Sequence, residues 1–189
     1  MEDYSFLTVN KVSEGLYKEK GSKFLSFLHS IKSREEVNRI LKEYKSKYYD
    51  ARHVCFAFRL GLNGEEYRAY DDGEPGHTAG DPILNQLKSR EVTNALLIVV
   101  RYFGGTKLGV SGLTTAYKES AIDALENAKV IKEELKETLT VEVEFAKIDG
   151  LMKLISKYRI EILKQDFQLT AIYTLSVPKV NFELFKKDL

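Results

Sequence analysis

Asp71-Asp72-Gly73-Glu74-Pro75-Gly76-His77-Thr78-Ala79-Gly80-Asp81-Pro82 opens the stretch around which this chain is organised, and Arg101-Tyr102-Phe103-Gly104-Gly105-Thr106-Lys107-Leu108-Gly109-Val110-Ser111-Gly112-Leu113-Thr114-Thr115-Ala116-Tyr117 closes it. The first run is acidic and the second basic, and both are rich in glycine. Glycine loses more backbone entropy on folding than any other residue, so it is used where φ must be positive or where another group approaches the backbone closely. Between the runs lie a helical pattern and the most apolar segment of the chain, Val92 to Val100, which reads as a central strand. Two polar loops flanking a helix and a buried strand describe a binding surface carried on a rigid scaffold.

Asp81-Pro82 predicts a helix start, with Asp81 as cap, Pro82 in the first turn and Ile83, Leu84 and Leu87 as its apolar side. Ser111 or Gly112 opens a longer helix to about Ala128, with Leu113, Ala116, Tyr117, Ala121, Ala124 and Leu125 facing inward. Upstream, Val54 to Leu60 is a strand. His53, Cys55 and Ala57 share one of its faces, and Val54, Phe56 and Phe58 share the other. Asn63-Gly64 marks the hairpin that returns along Glu65 to Tyr70. Ser33 with Glu36 has capping-box spacing and starts a helix through Val37, Ile40, Leu41 and Tyr44 to about Tyr48. Tyr4 to Val9 and Ser22 to Ile31 are further strands, and Gly15 to Lys20 is a turn or strand edge.

Lys129 to Glu137 is charge-rich and reads as a domain break, giving domains of residues 1–133 and 134–189. After it come a strand over Thr138 to Phe145, a helix over Ile148 to Tyr158, strands over Ile160 to Gln165 and Leu169 to Val177, and a helix from Asn181. That β-α-β-β-α order is ferredoxin-like and lacks the last strand of that motif. The fold class is therefore α+β.

The 189 residues carry 29 Lys and Arg against 28 Asp and Glu, a net charge of +1, so no global field attracts nucleic acid or anionic membrane, and any such site is a local patch. The single cysteine, Cys55, excludes an intramolecular disulfide framework and fits a reducing compartment. Met1-Glu2-Asp3-Tyr4 lacks the basic and apolar regions of a signal peptide, and no apolar run has the length of a membrane span, so the cytoplasm is the expected location.

In the basic run, Gly104, Gly105, Gly109 and Gly112 expose backbone amides between a strand and a helix start, where an anion is favoured. Arg101 and Lys107 add charge, and Ser111 a hydroxyl. The glycine spacing fits neither a P-loop nor a dinucleotide fingerprint. The alternative is a tight structural turn packed against the acidic run. There, Asp71, Asp72, Glu74 and Asp81 could hold a divalent cation or act as an acid and base pair. The blander reading pairs Asp72 or Glu74 with Arg101, Lys107 or Arg68, or uses the carboxylates as turn caps. Cys55 reads as a small buried hydrophobe rather than a nucleophile. Tyr70 and Tyr102 are the aromatics expected to be exposed beside the cations, where rings can stack on bases; Phe103 is expected in the core.

The runs Asp71-Asp72-Gly73-Glu74-Pro75, Thr78-Ala79-Gly80, Pro82 and Arg101-Tyr102-Phe103-Gly104-Gly105, with Leu108-Gly109, Gly112-Leu113 and the upstream Ala51-Arg52-His53 and Cys55, resemble the signature of the YigZ/IMPACT family. The chain departs from the pattern at Gly76-His77, Ser111 and Thr115. The resemblance extends over nearly the whole chain. It implies an amino-terminal domain like the fold shared by a small-subunit ribosomal protein and the fourth domain of the translocation elongation factor, followed by a ferredoxin-like domain. It also implies RNA or ribosome binding, through the first domain, in translation regulation; the residues offer no nucleophile or metal-ligand set for an enzyme. Neither a cofactor nor a resident metal is expected, nor a membrane partner. A homodimer through the open edge of the second domain is expected as a further partner. The competing reading is a metal-dependent hydrolase of a phosphorylated substrate or a protein-interaction module.

Overall fold

The computed structural model describes residues 4–189, so the acidic start Met1-Glu2-Asp3 lies outside the described residues. The chain forms two compact units: Phe6–Lys132, and Glu133–Leu189 together with Tyr4 and Ser5. Both combine helices with antiparallel sheets, which makes the class α+β.

The larger unit is built on five strands in the order β2 (Ser13–Glu19), β3 (Ser22–Ser30), β6 (Ala95–Tyr102), β4 (His53–Leu60) and β5 (Glu66–Tyr70), every neighbouring pair antiparallel. Central β6 is buried on both faces along its length except at Tyr102, which is why its sequence is a continuous apolar run rather than an alternation. It begins later than the sequence suggests. Glu91 and Asn94 take left-handed φ values of 55° and 48° and break the extended chain, leaving Val92 in an isolated parallel bridge to Leu7 of β1 (Ser5–Val9).

On one face of the sheet, Phe24, Leu28, Cys55, Ala57, Leu97 and Val99 pack against α2 (Gly80–Ser89) and α3 (Gly109–Glu126). On the other, Phe27, Val54, Phe56, Phe58, Ile98 and Val100 pack with Val37 and Ile40 of α1 (Arg34–Lys47). The sequence pattern around His53-Cys55-Ala57 therefore sorts to the correct layers. Ser33 caps α1 by accepting the Glu36 amide at 3.3 Å, while the Glu36 carboxylate accepts the Lys32 amide at 2.6 Å. The hairpin turn is wider than Asn63-Gly64 alone: Gly61 and Gly64 are both left-handed, and the Gly64 amide donates to the Gly61 carbonyl at 3.2 Å.

The charge-rich stretch read as a break contains a strand, β7 (Val130–Glu134), which pairs with β1 in a two-stranded sheet. Only Ile131 within it is half-buried; a ribbon with so little covered surface needs no apolar alternation, so the sequence carries no strand signal.

The second unit runs β8 (Lys136–Val143), α4 (Ile148–Tyr158), β9 (Glu161–Phe167), β10 (Ala171–Pro178) and α5 (Lys179–Asp188). β10 lies between β8 and β9, antiparallel to both, a ferredoxin-like three-strand arrangement. Leu151, Ile155, Tyr173, Leu175, Val177 and Phe185 form its core.

Candidate functional site

The two loops meet at the end of the five-stranded sheet where β6 finishes and β4 begins. Register places Phe24, Arg101 and His53 side by side across β3, β6 and β4, on the face that carries α2 and α3. Residues 71–79 fold over this row. Their first turn has Asp72 and Gly73 left-handed at φ 44° and 84°, the requirement of a type I′ turn, and is closed by the Glu74 amide on the Asp71 carbonyl at 2.9 Å.

That turn delivers Glu74 into the interior, where its side chain is 3% exposed. Arg101 Nη1 donates to Glu74 Oε1 at 2.6 Å, and the Tyr117 hydroxyl of α3 donates to the same oxygen at 2.6 Å. His53 Nε2 lies 3.6 Å from Glu74 Oε2, and the Cys55 thiol is 3.4 Å from the Tyr117 oxygen. Burial pushes the Tyr117 hydroxyl upward, reinforced by the neighbouring Cys55 and Glu74, so the phenol keeps its proton and remains a donor. Burial likewise pushes the Cys55 thiol up, away from the thiolate that nucleophilic chemistry needs. Arg101 is itself 5% exposed, so its charge is a buried partner of Glu74 and not part of the outer surface.

The other carboxylates are also occupied by the loop's own backbone. Asp71 accepts the amides of Ala79 and Gly80 on one oxygen, at 3.1 and 2.8 Å, and that of His77 on the other at 2.9 Å. Asp72 Oδ2 accepts the Val54 amide at 2.7 Å. Asp71 thus caps α2 from a distance. Asp81, the cap expected from sequence, lies inside the first turn instead and meets His77 Nδ1 at 2.6 Å. Among the described residues, no group of three or more His, Cys, Asp or Glu side chains is disposed to hold a metal. Both Asp71 oxygens, Asp72 Oδ2 and Glu74 Oε1 already accept amide, guanidinium or phenol protons.

The basic loop is arranged differently. Gly104, Gly105, Thr106, Lys107, Gly109 and Ser111 are exposed, and Gly112 half-buried. The start of α3, preceded by Leu108, has no side-chain cap and no acidic residue in its first turn. Its leading amides therefore lack the carboxylate or hydroxyl that usually satisfies a helix N-terminus. Lys107 has no ion-pair partner among the described residues.

The aromatics fall out contrary to expectation. Tyr102 is half-buried on the α1 side, with its hydroxyl on Asp50 Oδ1 at 2.9 Å; burial, with this bond, pushes its pKa above the ordinary tyrosine value and disfavours ionisation. Tyr70 is half-buried against Phe56, with the Arg68 guanidinium 5.5 Å from its centroid. Arg68 stands opposite Phe58 on β5, so it shares the α1 side with Tyr70 and is not brought to Lys107 and the glycine loop. Phe103, expected in the core, is 49% exposed, because β6 ends at Tyr102 and the chain leaves the sheet. Sequence reading gave no site role to Lys20, Lys23 or Arg52, the last of them quoted within the family signature. All three are exposed at this end of the sheet, where the β2–β3 turn, the end of β6 and the start of β4 meet. The signal for two of them was the Lys20-Gly21 turn between two pairing strands.

Residues 20–125 match the family model described as the Impact N-terminal domain. Curated relatives include the "IMPACT family member" of Haemophilus influenzae, 31% identical over 90% of this chain and 84% of its own length. Another is "IMPACT family member YvyE" of Bacillus subtilis, 29% identical over 98% of this chain and 81% of its own. Among solved structures, one described as "an hypothetical protein" is similar with a TM-score of 0.76 and 27% identity, covering 97% of this chain and 90% of that one.

Proposed function

The chain belongs to the IMPACT family, and from that premise we propose that it acts without catalysis in translation, associating with RNA or the ribosome through its larger unit. The observation that supports this reading most directly is the contrast in satisfaction at one end of the sheet. Acidic side chains there are bonded inward, while the amides at the start of α3 and the Lys107 ammonium face outward without a side-chain acid. Oriented amides beside a cation suit a phosphate oxygen. The net charge of +1 makes this a local contact rather than broad attraction. No helix among the described residues is long and apolar enough to cross a membrane.

The test is fluorescence anisotropy on a short single-stranded RNA and a structured ribosomal RNA fragment across salt, together with ribosome co-sedimentation. Binding through two to four phosphates loses about one to three powers of ten in affinity over a tenfold rise in salt. Lys107→Ala lowers the log–log slope by about one contact, with little dependence on sequence. Absence of both RNA and ribosome binding at low salt refutes the reading.

In the second unit, the outer edge of β8 has no neighbouring strand among the described residues, and a bare edge is a template for pairing. We propose self-association through it, read by light scattering as a dimer whose population rises with concentration; a monomer at all concentrations removes this part.

A further inference from the structure

We infer that Phe103 is a stacking platform for one unpaired base of a single-stranded RNA, with Lys20 and Lys107 neutralising the phosphates on either side; this rests on the RNA reading above. An aromatic ring 49% exposed, outside all three hydrophobic clusters, contributes little to the core. It is nonetheless held in place. The Arg101 guanidinium lies 5.7 Å from its centroid, and Arg101 is itself fixed by Glu74 and by the Phe24 ring, 5.5 Å from the guanidinium. A buried, ion-paired cation therefore backs the ring.

The chain beyond the ring is also tied down. The Gly104 amide donates to Ser22 Oγ at 3.1 Å, and a Cβ at Gly104 would lie 2.0 Å from the Gly21 carbonyl carbon. The loop is thus pressed against the β2–β3 turn at a position only glycine allows, and Phe103 is presented by a seated backbone. A ring ordered before binding loses less entropy when a base stacks on it.

The surrounding charges select the partner. Lys23 stands directly across from Tyr102 and shares its face, the α1 side, away from the Arg101 guanidinium that backs the ring. The Arg52 amide donates to the Arg101 carbonyl at 3.0 Å. Lys20 leads into the turn that touches Gly104, and Lys107 follows in the loop. All four cations are exposed, and none has an ion-pair partner among the described residues. The nearby acids are engaged: Asp50 accepts the Tyr102 hydroxyl and Glu19 the Tyr17 hydroxyl. An exposed ring with Lys20 in the adjoining turn and Lys107 in its own loop matches a nucleobase between phosphates better than it matches an apolar peptide.

The test uses the full chain and a short single-stranded RNA carrying 2-aminopurine at one position. Parent protein, Phe103→Ala, Phe103→Leu, Phe103→Trp and Lys107→Ala are compared by anisotropy, by 2-aminopurine fluorescence and by thermal melting. Phe103→Ala and Phe103→Leu are expected to bind about 5- to 150-fold more weakly, without the fluorescence change on binding that the parent and Phe103→Trp give, and with melting unchanged. RNA binding by the parent that Phe103→Ala leaves intact overturns the platform and spares the RNA reading. Phe103→Leu equal to the parent shows an apolar contact without stacking and overturns it too. A parent that binds neither RNA nor ribosomes takes both readings down.

Discussion

Residues 71–79 and residues 103–112 lie at the same end of one sheet, and they use charge and glycine in opposite ways. In the acidic loop, Asp71, Asp72 and Glu74 turn inward and meet six backbone or side-chain donors, those of Ala79, Gly80, His77, Val54, Arg101 and Tyr117. Its left-handed residues close turns that aim these carboxylates. In the basic loop, the amides opening α3 have no side-chain cap, Lys107 has no ion-pair partner among the described residues, and Gly104 is seated against the β2–β3 turn with its amide on Ser22 Oγ. Charge density in sequence therefore does not locate a ligand site. What separates an internal fastener from a surface offered outward is whether each charge already has its partner.

Substitution at Glu74 is the strongest way to break this contrast. Glu74→Ala leaves the Arg101 guanidinium buried without its counter-charge and the Tyr117 hydroxyl without its acceptor. Removing one member of a buried pair costs about 3–5 kcal/mol, so chemical denaturation should show a loss of that size. Glu74→Gln, which keeps an acceptor for Tyr117, should lose less. Parent-like stability in Glu74→Ala would mean that the acidic loop does not fasten the sheet end, and the distinction between the loops would fall.

Asp71→Ala comes next. It strips an acceptor from the amides of Ala79, Gly80 and His77, two of which open α2. Water can replace part of this at a loop that is only half-buried, so the expected loss is about 1–3 kcal/mol. Hydrogen exchange should quicken first at Ala79 and Gly80. Unchanged exchange there would show that α2 starts without help from Asp71.

How far the sequence speaks depends on the distance over which each interaction acts. Ile148 to Tyr158 is readable as a helix to the residue, because its stripe of Leu151, Ile155 and Tyr158 is local. The sides of β4 follow from alternation, and the meeting of Glu74 with Arg101 is foreseeable from opposite charges in two loops flanking one helix and one strand. Three features lie beyond that range. Tyr117 joins Glu74 from inside α3, where an inward tyrosine looks like any core residue. Asp71 caps a helix across a folded loop, whereas capping signals in sequence are read from the adjacent residue. Phe103 is apolar and follows a buried strand, so pattern assigns it to the core; its exposure depends on where β6 stops and on Gly104 seating against Gly21, a contact made across the sheet.

The smallest expected effect sharpens the comparison at its margin. His77 and Asp81 are the exposed members of the acidic stretch, joined at 2.6 Å where the chain enters α2. The hydrogen bond to Asp81, followed by its charge, raises the His77 pKa above its usual 6.5. A histidine raised on folding adds stability below its unfolded value and loses that contribution as pH climbs through the folded one. The contribution is small, because the imidazole is fully solvated and a cation near a helix N-terminus opposes the helix dipole. Melting temperature is therefore too coarse a readout, and titration of the His77 ring by NMR is the suitable one. The parent should titrate above about 6.5, and Asp81→Asn should return the midpoint to that ordinary value. A His77 midpoint at or below the ordinary value in the parent would show the pair unformed in solution. The inward bonding of the acidic stretch would then stop at Asp71, Asp72 and Glu74, and His77 and Asp81 would belong with the open surface of the basic loop.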